Sequence, residues 1–169
     1  DYFADIGIEA SLQEISPGRA NLVAKIGNDK GAGLLLSGHM DVVSSGNLES
    51  WTVTDPFKPV IKNGKLYGRG ACDMKGGIAC ILKTVKDLYR ENFKKQLTMV
   101  LTTGEETGGW FVKEIIRHKK LTTKDALYGL IPEPTDMNII SHHKGIGKSR
   151  ITIHGKAAHS SVPEQGVNA

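Results

Sequence analysis

Apolar positions along this chain recur with two periods, and the switches between them mark the elements. Residues 20–26 and 33–36 are β-prone runs, the second short and wholly apolar as in the buried centre of a sheet. Residues 97–102 and 126–131 read as two further strands. Ile78, Ile81, Leu82, Val85, Leu88 and Tyr89 fall at helical spacing, which predicts a helix over 74–89 with one buried stripe. Gly76 and Gly77 in its first turn cost about 1 kcal/mol each in helix propensity. That cost implies close packing there, against a neighbouring strand or a metal site. Residues 110–119 predict a second helix. A Pro/Gly-rich excursion over 44–70 contains a hairpin at 58–67, where Asn63-Gly64 supplies the φ > 0 positions of a type I′ turn. Strands alternating with helices predict an α/β fold, a mostly parallel sheet sandwiched by helices.

Near Gly145 the pattern changes. Residues 149–154 alternate polar and apolar with period two, as a half-exposed antiparallel strand does. A boundary at about residue 145 is therefore expected, with one domain over 1–145 and the start of a second over 146–169. Residues 1–8 read as the tail of a helix entering a strand, and Gly166-Val167-Asn168-Ala169 ends without a capping element. The chain is expected to be an internal piece of a longer protein.

Bulk composition narrows the function classes. With 169 residues, 39% hydrophobic and 24% charged, the chain has the make-up of a soluble domain with a proper core. No apolar run approaches the roughly 20 residues a membrane span needs, so no membrane partner is expected. The net charge of +4 comes from scattered lysines with only 6% aromatics, which argues against a nucleic-acid partner. The basic run Arg117-His118-Lys119-Lys120 sits where a helix should end, where cations complement its dipole. Cys72 and Cys80 form neither a Cys-x-x-Cys motif nor a disulfide scaffold, and read as structural filler. Free thiols fit a reducing, cytoplasmic setting.

Chemistry concentrates in four short blocks about thirty residues apart, each at a strand end or in the loop that follows: Gly38-His39-Met40-Asp41, Cys72-Asp73-Met74-Lys75, Gly104-Glu105-Glu106-Thr107 and Pro132-Glu133-Pro134. One imidazole with several carboxylates suits a pair of hard or borderline cations. Ligands in open α/β sheets gather at the carboxyl ends of strands, where this fold would bring the blocks together. Each residue also has a plainer reading. His39 after an apolar strand could be a satisfied core or capping histidine, Asp73 a helix N-cap, Glu105-Glu106 a solvated loop, and Glu133 part of a stiff turn. Asp41 could accept the far ring N–H of His39 and fix its tautomer. Of two adjacent carboxylates, one can bind metal while its neighbour moves protons. The combination predicts metal-assisted hydrolysis.

Seven segments together resemble a known family. They are Gly38-His39-Met40-Asp41-Val42-Val43, Trp51 with Asp55-Pro56-Phe57, Leu66-Tyr67-Gly68-Arg69-Gly70 with Asp73-Met74-Lys75-Gly76, Gly104-Glu105-Glu106, Glu133-Pro134-Thr135, His143-Lys144-Gly145, and Ala158-His159-Ser160-Ser161 with Pro163 and Gly166-Val167-Asn168-Ala169. In this order, from about residue 20 to 169, they resemble the dinuclear zinc amidohydrolases and peptidases that include acetylornithine deacetylase and succinyl-diaminopimelate desuccinylase.

The resemblance implies two divalent metal ions, zinc first, with cobalt or manganese also able to sit there. His39 and Glu133 would hold one ion and Glu106 the other, with Asp73 bridging them. Glu105 would be the general base, passing a proton from the attacking water to the leaving amine. The Asp73–Met74 peptide would be cis. Residues 146–169 would begin an α+β lid and dimerisation domain, from which His159 reaches the active site of the neighbouring subunit of a homodimer and stabilises the oxyanion. A further metal-binding histidine would lie beyond Ala169, so residues 1–169 alone are expected to be inactive. Asp73-Met74, in place of an Asp-Asp pair, points to the deacylase branch, with an N-acylated amino acid as substrate. The alternatives are a dipeptidase of the same family and a non-catalytic metal-binding relative.

Overall fold

A computed structural model describes residues 2–27, 31, 33–118, 121–122, 126–145, 147 and 149–169. Two compact units divide the chain, Asp1–Asn138 and Ile139–Ala169. Because β-prone and helical stretches alternate, the first unit folds as a sheet with helices on its faces. The short helix α1 (Tyr2–Asp5) leads into strands β1 (Ala10–Ser16), β2 (Arg19–Ile26) and β3 (Gly33–His39). A hairpin follows, β4 (Val60–Lys62) and β5 (Lys65–Tyr67), turning through Asn63 and Gly64 at φ 51° and 70° as the Asn-Gly pair predicts. Helix α2 (Gly76–Arg90), β6 (Leu97–Thr102), α3 (Trp110–Arg117) and β7 (Ala126–Leu130) complete the unit.

The main sheet has the order β1-β2-β6-β3-β7. β3 runs parallel to both β6 and β7, whereas β1–β2 and β2–β6 are antiparallel. The sheet is therefore mixed, parallel where the site-bearing strands lie and antiparallel at the edge that begins the chain. All of β6 is buried, because both its faces are covered. Leu97, Met99 and Leu101 face α2 through Ile78, Ile81 and Val85, while Val100 on the other face packs with Val23 and Ile115 of α3. One helix lies on each face, as the helical stripe and the apolar strand runs require.

β1 is not among the strands the sequence predicts, and two expectations change. β1 has no period-two signature in the sequence, since its register slips between Glu14 and Ser16 and Leu12 points out at 70% exposure. Residues 149–154 form no strand: Ile151 and Ile153 are exposed, and among the described residues of that unit the pairing is an isolated bridge, Lys156–Val167. An alternating pattern makes a strand only where a neighbour completes the ladder. Both cysteines are free and exposed, so neither fills the core. At the end of α3, Arg117 and His118 each reach Glu114 Oε2 at 3.3 Å, so this part of the basic run is paired within its own helix. Lys119 and Lys120 lie outside the described residues. No described helix is long and apolar enough to cross a membrane.

Candidate metal centre

Strand register sets the levels of the site. β3 ends at His39, which pairs with Thr102, the last residue of β6, and Met40 N–H donates to the Thr102 carbonyl at 2.7 Å. Glu105 and Glu106 follow three and four residues beyond that level. Leu36 pairs with Leu130 at the end of β7, and Glu133 comes three residues later. Asp73 belongs to the turn that opens α2. The four blocks thus converge at the carboxyl ends of the parallel strands, where an α/β sheet gathers ligands.

His39 is the centre of the cluster and is buried, 3% exposed. Its Nδ1 lies 2.9 Å from the Asp41 backbone carbonyl, an acceptor only, so Nδ1 carries the proton. Nε2 then points at two carboxylates, Asp73 Oδ1 at 3.0 Å and Glu133 Oε1 at 3.8 Å. Donor atoms of His39, Asp73 and Glu133 lie within 4.8 Å of one another, and so do those of His39, Glu105 and Glu106. One imidazole is therefore shared by two carboxylate groups.

Electrostatics fit a cation in this place. Burial pulls the His39 imidazole down, but the Asp41 carbonyl, the Asp73 hydrogen bond and the Glu133 and Asp73 charges outweigh it, and the pKa is raised. Burial pushes the Glu133 carboxyl up; the His39 charge opposes this, while Asp73, Glu105 and Glu106 add to it. Without a cation, His39 and Glu133 keep their protons to higher pH than usual. A divalent ion would neutralise the same carboxylates and take the Nε2 lone pair, so the donor set fits the implied metal.

The geometry corrects one expectation and decides between two readings of Asp73. The group that fixes the His39 tautomer is the Asp41 main-chain carbonyl; the Asp41 carboxylate is farther from Nδ1, at 3.7 Å. That carboxylate instead accepts the backbone N–H groups of Glu105 (3.2 Å) and Glu106 (3.1 Å). Asp73 is no helix cap, because α2 starts with no side-chain cap bond and Asp73 has extended backbone angles of −116° and 102°. Its carboxylate turns to His39. The Asp73–Met74 peptide is cis, and Met74 is fully buried beneath the site with Sδ 3.2 Å from His39 N. Gly77 answers the propensity question: a Cβ there would fall 2.4 Å from the Pro132 carbonyl, so the first turn of α2 presses on the residue before Glu133.

His159 lies in the second unit and is exposed. Its Nδ1 accepts from Ser161 N–H (3.3 Å) and lies 2.8 Å from Ser161 Oγ, which leaves the neutral ring's proton on Nε2. Sequence reasoning missed Asn21, a fully buried amide bonded to both sides of the Glu105-Glu106 loop. A polar residue in a strand carries no signal of such a role.

Comparison with known proteins places these features in a family. The profile of peptidase family M20/M25/M40 matches residues 35–166. A protein named probable succinyl-diaminopimelate desuccinylase from Staphylococcus aureus strain Mu50 is 43% identical over 171 residues, covering all of this chain and 42% of the relative. The acetylornithine deacetylase of Shigella sonnei is 39% identical, covering all of this chain and 43% of its own length. This chain spans about two-fifths of the length of these curated relatives. Among solved structures, an M20 family metallo-carboxypeptidase from Sulfolobus solfataricus superposes with a TM-score of 0.66 at 26% identity, over 77% of this chain and 29% of that one. Human carnosine dipeptidase 1 shares the fold at a TM-score of 0.65 and 23% identity, over 79% of this chain and 31% of its own.

Proposed function

This chain belongs to peptidase family M20/M25/M40, and from that premise we propose that the protein is a metal-dependent amidohydrolase that removes the acyl group from an N-acyl amino acid. Relatives at about 40% identity named as a desuccinylase and a deacetylase support this substrate class. The observation that carries the reading is His39 shared between Asp73 with Glu133 and Glu105 with Glu106.

His39, Asp73 and Glu133 would hold one divalent ion, and Glu106 would help hold a second beside the same imidazole. Zinc suits the imidazole-carboxylate set. When bound, such ions polarise the scissile carbonyl and lower the pKa of water. Glu105, the exposed member of its pair, would serve as general base, taking a proton from the attacking water and passing it to the departing amine; half-buried Glu106 is the more constrained and suits a ligand. Asp73 and Glu133 keep the Nε2 side of His39 electronegative, and the Asp41 carbonyl holds its tautomer. His159, with its proton on Nε2, is a donor suited to the oxyanion. We assign it to the neighbouring subunit's site in a homodimer, on the strength of the motif around it.

The test is steady-state hydrolysis by the full-length, zinc-loaded protein of N-acetylornithine beside N-succinyl-diaminopimelate. A preference of about a hundredfold, near 2.7 kcal/mol of differential transition-state binding, would name the acyl group. No cleavage of either, with turnover of dipeptides instead, would overturn the deacylase reading.

A further inference from the structure

Glu105 and Glu106 sit on a loop between the end of β6 and the start of α3, and backbone at such a place wanders unless something fixes it. Its own bonds close it into a compact turn: Gly109 N–H to the Gly104 carbonyl at 2.9 Å, and Gly108 N–H to the Glu105 carbonyl at 3.0 Å. Those bonds set the loop's shape and leave its position open. Position comes from two side chains outside it. Asn21 of β2, 0% exposed, accepts Thr103 N–H on Oδ1 at 3.0 Å and donates from Nδ2 to the Phe111 carbonyl at 3.0 Å. One amide thus holds both ends of the loop. Nδ2 also lies 3.4 Å from Gln13 Oε1, so every polar atom of this buried group has a partner. Gly104 sits so close under the Phe111 ring that a Cβ would fall 1.7 Å from it, which ties the loop to the residue Asn21 holds. The middle is held by Asp41, whose two carboxylate oxygens take the N–H groups of Glu105 and Glu106.

We propose that Asn21, together with the Asp41 carboxylate, is a positioning residue for the reaction: the two fix the Glu105-Glu106 loop against the His39 end of the sheet. The inference rests on the amidohydrolase reading, since it concerns the placing of that reading's base and one of its ligands. A residue of purely structural value would contribute to stability alone. Asn21 instead acts on one half of the site, because His39 and Glu133 are placed by β3 and β7 and touch neither clamp atom of Asn21.

The experiment titrates Zn2+ into the metal-free, full-length protein as wild type, Asn21→Ser, Asp41→Asn and Val85→Ala. Val85, buried in α2, serves as a control for loss of stability alone. Wild type should bind two equivalents. Asn21→Ser should retain the first and bind the second about 10- to 100-fold more weakly, with kcat reduced by a similar factor and KM little changed. Asp41→Asn, which keeps a single acceptor oxygen for two N–H groups, should move the same equivalent in the same direction; it decides the matter if Asn21→Ser does not fold. Val85→Ala should lower Tm and leave both equivalents alone. Two wild-type equivalents with both clamp variants binding like wild type would overturn the inference and leave the amidohydrolase reading intact. A folded wild type that binds no zinc would overturn that reading, and the inference with it.

Discussion

Replacing Gly77 with alanine sets two effects of known size against each other. Alanine favours a helix by about 0.8–1.0 kcal/mol over glycine, and Gly77 lies in the first turn of α2. Taken alone, that would stabilise the protein. The new Cβ, however, would stand 2.4 Å from the Pro132 carbonyl and 3.0 Å from its Cγ. Even to reach 3.0 Å from that oxygen, α2 and Pro132 must part by about 0.6 Å, and overpacking of this kind costs about 1–3 kcal/mol. Overpacking therefore wins, for a net loss of up to about 2 kcal/mol. Displacement falls on the Pro132 side, because α2 is anchored by buried Ile78 and Ile81 and by buried Met74 in the turn before it, whereas Ile131 before Pro132 is 60% exposed. Glu133 moves with Pro132, and metal ligands tolerate about 0.2 Å. Thermal unfolding with and without zinc, beside a competition titration, should show a lower Tm and zinc binding about tenfold weaker or worse. A raised Tm with unchanged zinc affinity would refute the argument and leave Gly77 as merely a poor helix residue.

Two further outcomes follow from the same geometry. In the metal-free fold His39 and Glu133 both bind protons more tightly than their ordinary values of 6.5 and 4.5. Their contribution to metal-free stability is thus present at low pH and lost as pH rises through the raised pKa values, whereas metal needs both groups deprotonated. The Tm gap between zinc-loaded and metal-free protein should narrow from about pH 8 to about pH 6; a constant gap would contradict the ligand assignment. Separately, on the proposed homodimer, His159→Ala and Glu105→Gln should each lose turnover and regain it when mixed, since one site of each hybrid would combine intact Glu105 with the partner subunit's His159. No recovery after verified subunit exchange would place His159 in its own subunit's site or outside the reaction.

How much of this could be read from the sequence depends on where each signal is stored. β6 and α2 were legible because buried elements carry their period in apolar residues, and residues 97–102 are assigned without a shift in boundary. The hairpin was legible because Asn63-Gly64 encodes backbone angles directly. β1 was not, since an edge strand with a bulge and an exposed Leu12 needs no alternation. At the site, residue types singled out His39, Asp73, Glu105, Glu106 and Glu133 as candidates, because metal chemistry restricts which side chains can serve, and the fold brings them together. Residue types could not show that Asp41 divides its work, main-chain carbonyl to His39 and carboxylate to the Glu105-Glu106 loop. Nor could they mark Asn21, whose role lies in the two distant backbone groups it joins.

The central claim is that carboxylates grouped around His39 hold metal while Glu105 moves the proton. Zinc content and turnover measured together on full-length Glu105→Gln test it most directly. The account predicts zinc content equal to wild type and turnover of the N-acyl substrate reduced by about 10²-fold or more. Turnover near the wild-type rate, or loss of the metal along with the activity, would contradict it.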